Sequence, residues 1–214
     1  MIKAKVKESN REKVPSGTHI ARCYSMIHVG TVTWEYQGEV KETDKVRLAF
    51  EIPAEMREFK PGEMEPMVIS KEYTLSMHEK ANLRKDLESW RGKTFTEAEA
   101  RDFDILNLIG VSCSLGVIHK ESKNGKSYAD ISSLSGVPKG VKADKGINEI
   151  FILDYNENWD LEKFETLPDF IKDDMKMTPE YEEITTTNDD VELSPEKLKL
   201  AKQLGLDSDK DAPF

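Results

Sequence analysis

"GVSCSLGVIHKESKNGKSYADISSL", residues 110–134, carries two alternating runs on either side of Asn124-Gly125. Asn-Gly between such runs marks a β-hairpin, because both turn positions need a positive φ. The spacing predicts a strand, a turn and a return strand. Upstream, "THIARCYSMIHVG" (18–30) has the same period of two. It sets Ala21, Cys23, Ser25, Ile27 and Val29 on one mostly apolar face, with Arg22, Tyr24, Met26 and His28 on the other. "VTWEYQGEV" (32–40) places Trp34 and Tyr36 on one side. "DKVRLAFEI" (44–52) opposes Lys45 and Arg47 to an apolar face of Val46, Leu48, Phe50 and Ile52. "PMVISKEYTLS" (66–76), which holds Lys71 and Tyr73, and "INEIFILDY" (147–155) read as further strands.

One helix interrupts the strands. Ser76 and Glu79 have the spacing of a capping box. Leu83, Leu87 and Trp90 follow as an apolar stripe, with Lys80, Arg84 and Arg91 off it as a solvated face, and Gly92 is placed to stop the helix. Thr96 and Glu99 form a second capping box. The order of strands, a central helix and a hairpin fits a small five-stranded β-barrel of the oligonucleotide/oligosaccharide-binding type (OB-fold), whose helix lies between the third and fourth strands. An open antiparallel sheet with one helix fits the same string. "WDLEKFETLPDFIKDDM" (159–175) reads as a mostly helical appendage.

The charge is unevenly distributed. The net charge is −10, yet residues 1–140 balance at +1 and residues 141–214 at −11. The pattern divides the chain into a flexible N-terminus (1–16), a body with its appendage (17–177) and an acidic tail (178–214). The tail contains one short helical pattern, capped by Ser194 and ended by Gly205. No apolar run approaches the roughly 18 residues of a membrane helix, and "MIKAKVKESNREK" lacks the apolar region of a secretory signal. Cys23 and Cys113, each within an apolar run and without a CxxC partner, read as buried thiols in a reducing, cytoplasmic setting.

Catalytic constellations are sparse. His19, His28, His78 and His119, with the two cysteines, lack zinc-finger or H-E-x-x-H spacing. The sequence contains no G-x-S-x-G and no phosphate-binding G-x-x-x-x-G-K-[ST]. Glu39-Val40-Lys41 has the acid-to-lysine spacing of one metal-dependent nuclease class, a triplet that so charged a chain contains by chance. No cofactor, metal or catalytic residue is expected.

Binding is better represented. Single-stranded nucleic acid is held by cations that track phosphates and by aromatic faces that stack on bases. Arg22 with Tyr24 and His28, Trp34 with Tyr36, Lys45 with Arg47, Lys71 with Tyr73, and Lys126 with Tyr128 pair these residue types on alternating strands, with Lys123 beside the turn. Strand aromatics also pack cores and cross-strand neighbours. A near-neutral body suits a binder that relies on stacking better than one that grips a double helix.

Two resemblances point the same way. "DSDKDAPF" (207–214) resembles the acidic tip of bacterial single-stranded DNA-binding proteins, departing from it at Lys210 and Ala212. The resemblance implies that Asp207, Asp209 and Asp211 steer partner proteins while Pro213 and Phe214 dock in them. "ISKEYTLSMHEKANLRKDLESWRGKTFTEAEARDFDILNLIGVSCSLGVIH", "GKSYADISSLSGVP" and "FETLPDFI" are similar to a family of bacteriophage and prophage proteins, over roughly residues 17–181. Some of that family are described as single-stranded DNA-binding proteins with an oligonucleotide-binding barrel. The resemblance implies a protein that coats exposed strands during replication or recombination in the host cytoplasm and recruits replication and recombination proteins; with the missing catalytic constellations, the expectation is a non-enzymatic protein, and its pairing as a homodimer is left open by the sequence. A protein–protein adaptor without DNA binding and a metal-dependent nuclease are the competing expectations.

Overall fold

The computed structural model describes residues 12–189, with backbone only for Tyr36 and for 187–189. The tip residues Asp207, Asp209, Asp211, Pro213 and Phe214, and the helix expected after Ser194, lie outside the described residues.

The chain is mainly β. Strands β1 (Gly17–Tyr36), β2 (Glu39–Lys60), β3 (Glu63–Thr74), β4 (Ser112–Glu121) and β5 (Ser127–Ser135) form an antiparallel path in the order β3-β2-β1-β4-β5. The path curls until its two ends, β3 and β5, come into contact, giving a half-barrel. Helix α1 (Asn82–Arg91), α2 (Glu97–Arg101) and a 3-10 turn (Ile105–Leu108) connect β3 to β4. A short strand β6 (Phe151–Leu153) runs parallel to β1 along Ser25–Ile27, where β4 has already left it. The helices α3 (Leu161–Thr166), α4 (Asp169–Lys176) and α5 (Pro179–Asp189) follow.

Glycine shapes the hairpin turns. Gln37 and Gly38, at φ 54° and 82°, make the two-residue turn between β1 and β2. The Asn124-Gly125 hairpin also forms, but only Gly125 is left-handed, at φ 70°. Its amide donates to the Ser122 carbonyl at 2.9 Å, so the connection is a longer loop than the two-residue turn expected from Asn-Gly.

The segment expected at 18–30 and the first five residues of the one at 32–40 form a single strand, while Glu39 and Val40 begin β2, and two bulges break the alternation of β1. The register with β2 slips between Cys23 and Ser25 and again between His28 and Gly30. A one-residue slip sends every later side chain to the opposite face. Ala21 and Cys23 therefore join the core inside the curl, and so does Met26, opposite Leu48. Ile27 and Val29, expected on the Ala21–Cys23 face, instead join a second core on the outside.

The first core is closed by α1, whose Leu83, Leu87 and Trp90 are buried against Phe50, Cys113 and Leu134. Each such side chain stabilises the fold by about 1.5–3 kcal/mol relative to exposure. Trp90 Nε1 donates to the Ser112 carbonyl at 3.0 Å, which satisfies the one polar atom of the ring. The helix starts at Asn82, with no side-chain cap at Ala81, so the box expected at Ser76 and Glu79 is not used. Gly92 ends α1 in the left-handed conformation, and Thr96 and Glu99 make the reciprocal box on α2, both as expected. Arg84 is not part of a solvated face: it is buried and donates to Glu88, Glu97 and the carbonyls of Met77 and Phe95. It ties the loop after α1 to the helix.

The second core joins Ile27 and Val29 to Leu153, Phe164, Leu167, Ile171 and Met175, with Tyr155, Trp159 and Tyr181 packed around them. The appendage is thus docked on β1. Residues 179–189, expected within an acidic linker, are helical, and the first turn of that helix is anchored. Glu180 accepts from the amide and hydroxyl of Thr31 at 3.0 and 2.6 Å. At the N-terminal end Val14 is buried, Lys13 donates to Ser127, and Glu12 pairs with Arg57, so residues 12–14 tie β5 to β2. No helix among the described residues is long and apolar enough to cross a membrane.

Candidate nucleic-acid interface

The outward face of β1, β2 and β3 forms the floor of a groove. One stretch, of about 750 Å³, is lined by Tyr24, Arg47, Ala49, Val68 and Ser70 from the strands. Its walls come from Asn148, Glu149 and Phe151 and, in the appendage, from Thr166, Leu167, Pro168, Phe170 and Ile171. An adjoining stretch of about 610 Å³ shares Arg47, Glu65, Pro66, Val68 and Ser70, and continues to Lys13, Phe59 and Tyr128. The structure thus brings Tyr24, Arg47 and Tyr128 to one groove. Arg47 sits where the two stretches meet. Its guanidinium donates to Ser70 Oγ at 2.8 Å and lies 3.7 Å from Glu72.

The other expected contacts are distributed elsewhere. Lys45 and Lys71 line a separate polar depression with Ser76, His78 and Lys80 at the start of α1. Both are already paired, Lys45 with Glu72 at 2.8 Å and Lys71 with Asp86 at 2.7 Å. Tyr73 is buried in the first core and donates its hydroxyl to Asp86. Burial, then the Asp86 charge, pushes its pKa far up. With its ring inside, Tyr73 offers no face to a base. Trp34 is 44% exposed on the β1–β2 arm, with the Lys41 ammonium 5.9 Å from its ring. Tyr36 ends the same strand, and its side chain lies outside the described residues. Lys123 and Lys126 sit at the β4–β5 turn, exposed and without an ion-pair partner among the described residues.

Two expected contacts serve the fold. Arg22 donates to the fully buried Glu51 and to the Asn148 carbonyl. A Cβ at Gly146 would run into the Arg22 guanidinium, so a side chain there would have to displace that group from Glu51. His28 hydrogen-bonds Asp44 at 2.7 Å and meets Tyr155 edge-on at 5.4 Å. The Asp44 hydrogen bond raises the His28 pKa above its ordinary value, against the effect of burial.

Alternation alone missed Phe170, which belongs to the appendage, and Phe151, which lies on β6, both on the groove wall. The signal that could have found Phe170 is its place on α4 beside Ile171: adjacent helical positions lie about 100° apart, so with Ile171 centred on the second core Phe170 is turned toward its edge. Glu39 and Lys41 lie on the exposed β1–β2 arm. Among the described residues, no three His, Cys, Asp or Glu side chains come together as a metal site. Both cysteines are buried and unpaired, and desolvation pushes the Cys23 thiol up to about 12. No protein-family model and no curated protein matches this chain.

Proposed function

We propose that this chain is a sequence-tolerant, non-enzymatic single-stranded DNA-binding protein of phage type, built on an oligonucleotide-binding barrel and acting in the host cytoplasm. The strand order, the contact of β3 with β5 and the helix between β3 and β4 support the barrel reading. The observation that carries the functional reading is the groove of two adjoining stretches, one lined by Tyr24 and the other by Tyr128, with Arg47 lining both. Aromatic faces take bases whatever their identity, and a cation between them takes a phosphate. Glu65, Glu149 and Asp130 also line this groove, so few phosphates are neutralised and the salt dependence is shallow for a DNA binder. The acidic tip would recruit replication and recombination proteins.

The test is a titration of intrinsic tryptophan fluorescence with oligo-dT at two salt concentrations, for the full chain and for a chain stopped at Leu206. Salt-sensitive binding that persists or tightens without the tip supports the reading. Absence of binding in both chains refutes it.

One observation favours the adaptor reading instead. An apolar pocket of about 370 Å³ beside α1 is lined by Leu87, Trp90, Phe95, Phe103 and Val111, with Arg91 among its residues. Such a pocket suits a peptide side chain better than a nucleotide backbone.

A further inference from the structure

Phe170 projects from α4 toward the edge of the second core. Its neighbour Ile171 is buried there, while Phe170 is 56% exposed and lines the groove with Tyr24 and Arg47. Single exposed aromatics are ordinary. Phe170 differs in what holds it, because the Arg47 guanidinium carbon lies 5.3 Å from its ring centroid. Arg47 is itself fixed by Ser70 and Glu72. A cation at this distance constrains the ring while more than half of the residue stays open to solvent. The wall that carries Phe170 is also fixed. The second core docks α4 on β1, and the Arg22–Glu51 pair holds the loop at 147–148 against the sheet.

We infer that the C-terminal appendage is part of the nucleic-acid surface, and that Phe170 stacks on a base whose neighbouring phosphate is met by Arg47. This rests on the single-strand reading above and adds the residue that reading lacked. The groove then has aromatic groups on both sides: Tyr24 from the sheet and Phe170 from the appendage. The inference separates two roles in one contact, with Phe170 supplying stacking and Arg47 supplying charge.

The experiment uses the full chain and an oligo-dT strand carrying 5-iodouracil. Photocrosslinked peptides are mapped, and affinities are measured for the unchanged chain, Phe170→Ala and Phe170→Tyr. The expected result is a crosslink at Phe170, affinity weakened by about 5- to 100-fold in Phe170→Ala with an unchanged salt slope, and near-full affinity in Phe170→Tyr. Crosslinks confined to Tyr24 or Tyr128, with Phe170→Ala binding as the unchanged chain does, overturn the inference and leave the single-strand reading standing. No binding by the unchanged chain overturns both.

Discussion

Arg22 Nε donates to Glu51 Oε1 at 2.5 Å, and the carboxylate that receives it has no exposed surface. The same carboxylate accepts the amides of Ile147 and Asn148. One buried anion therefore joins β1, β2 and the loop leading to β6. Removing the cation leaves a buried charge whose remaining partners are neutral, and breaking such a pair costs about 3–5 kcal/mol. Arg22→Ala is expected to lower the urea midpoint accordingly. A change below about 1 kcal/mol would mean the pair is dispensable to the fold.

Gly30 has φ 96°, and a Cβ there would lie 2.9 Å from both Glu180 Oε2 and Thr178 Oγ1. Gly30→Ala faces a strained backbone and a steric conflict at the anchor of α5. The expected loss is roughly 1–3 kcal/mol, with faster amide exchange across 178–186. Exchange unchanged in that segment would show that the anchor does not depend on Gly30.

The raised His28 pKa gives a pH dependence with a definite sign. Its hydrogen bond to Asp44 raises the value, burial opposes, and the charges of Asp44, Glu180 and Asp154 support it. A histidine raised in the folded state binds its proton more tightly there than in the unfolded chain. Its stabilisation is full below the unfolded value of about 6.5 and is lost as pH rises through the folded value. Melting curves from pH 5 to 8 are expected to show this loss, and His28→Gln should flatten it. A slope that survives the substitution would assign it to another group.

Charge and stacking should separate in the groove. Arg47→Gln is expected to weaken oligo-dT binding and to reduce the log–log salt slope by about 0.7, one phosphate. Tyr24→Ala and Tyr128→Ala, which truncate the groove's two strand aromatics, should weaken binding without moving the slope. Unchanged affinity in both variants would remove the strand aromatics from the interface.

Local periodicity sufficed for much of this molecule. It marks β1 through β5, the apolar stripe of α1, the Gly92 stop and the Thr96–Glu99 box, because each depends on side chains within a few residues of one another. It places Tyr24, Arg47 and Tyr128 on strands that the fold then brings to one groove.

What only the tertiary structure decided lies where a distant partner intervenes. The bulges at Cys23–Ser25 and His28–Gly30 have no local signature, and they move Met26 inward and Ile27 outward. Arg84, spaced for solvent, is buried because Glu88, Glu97 and two carbonyls converge on it. Tyr73 packs its ring into the first core, where Asp86 of α1 accepts the hydrogen bond of its hydroxyl. Phe170 reaches Arg47, 123 positions earlier in the chain, because the appendage folds back on β1. Alternation assigns a side chain to a face, but which face is covered, and by what, depends on contacts between residues far apart in sequence.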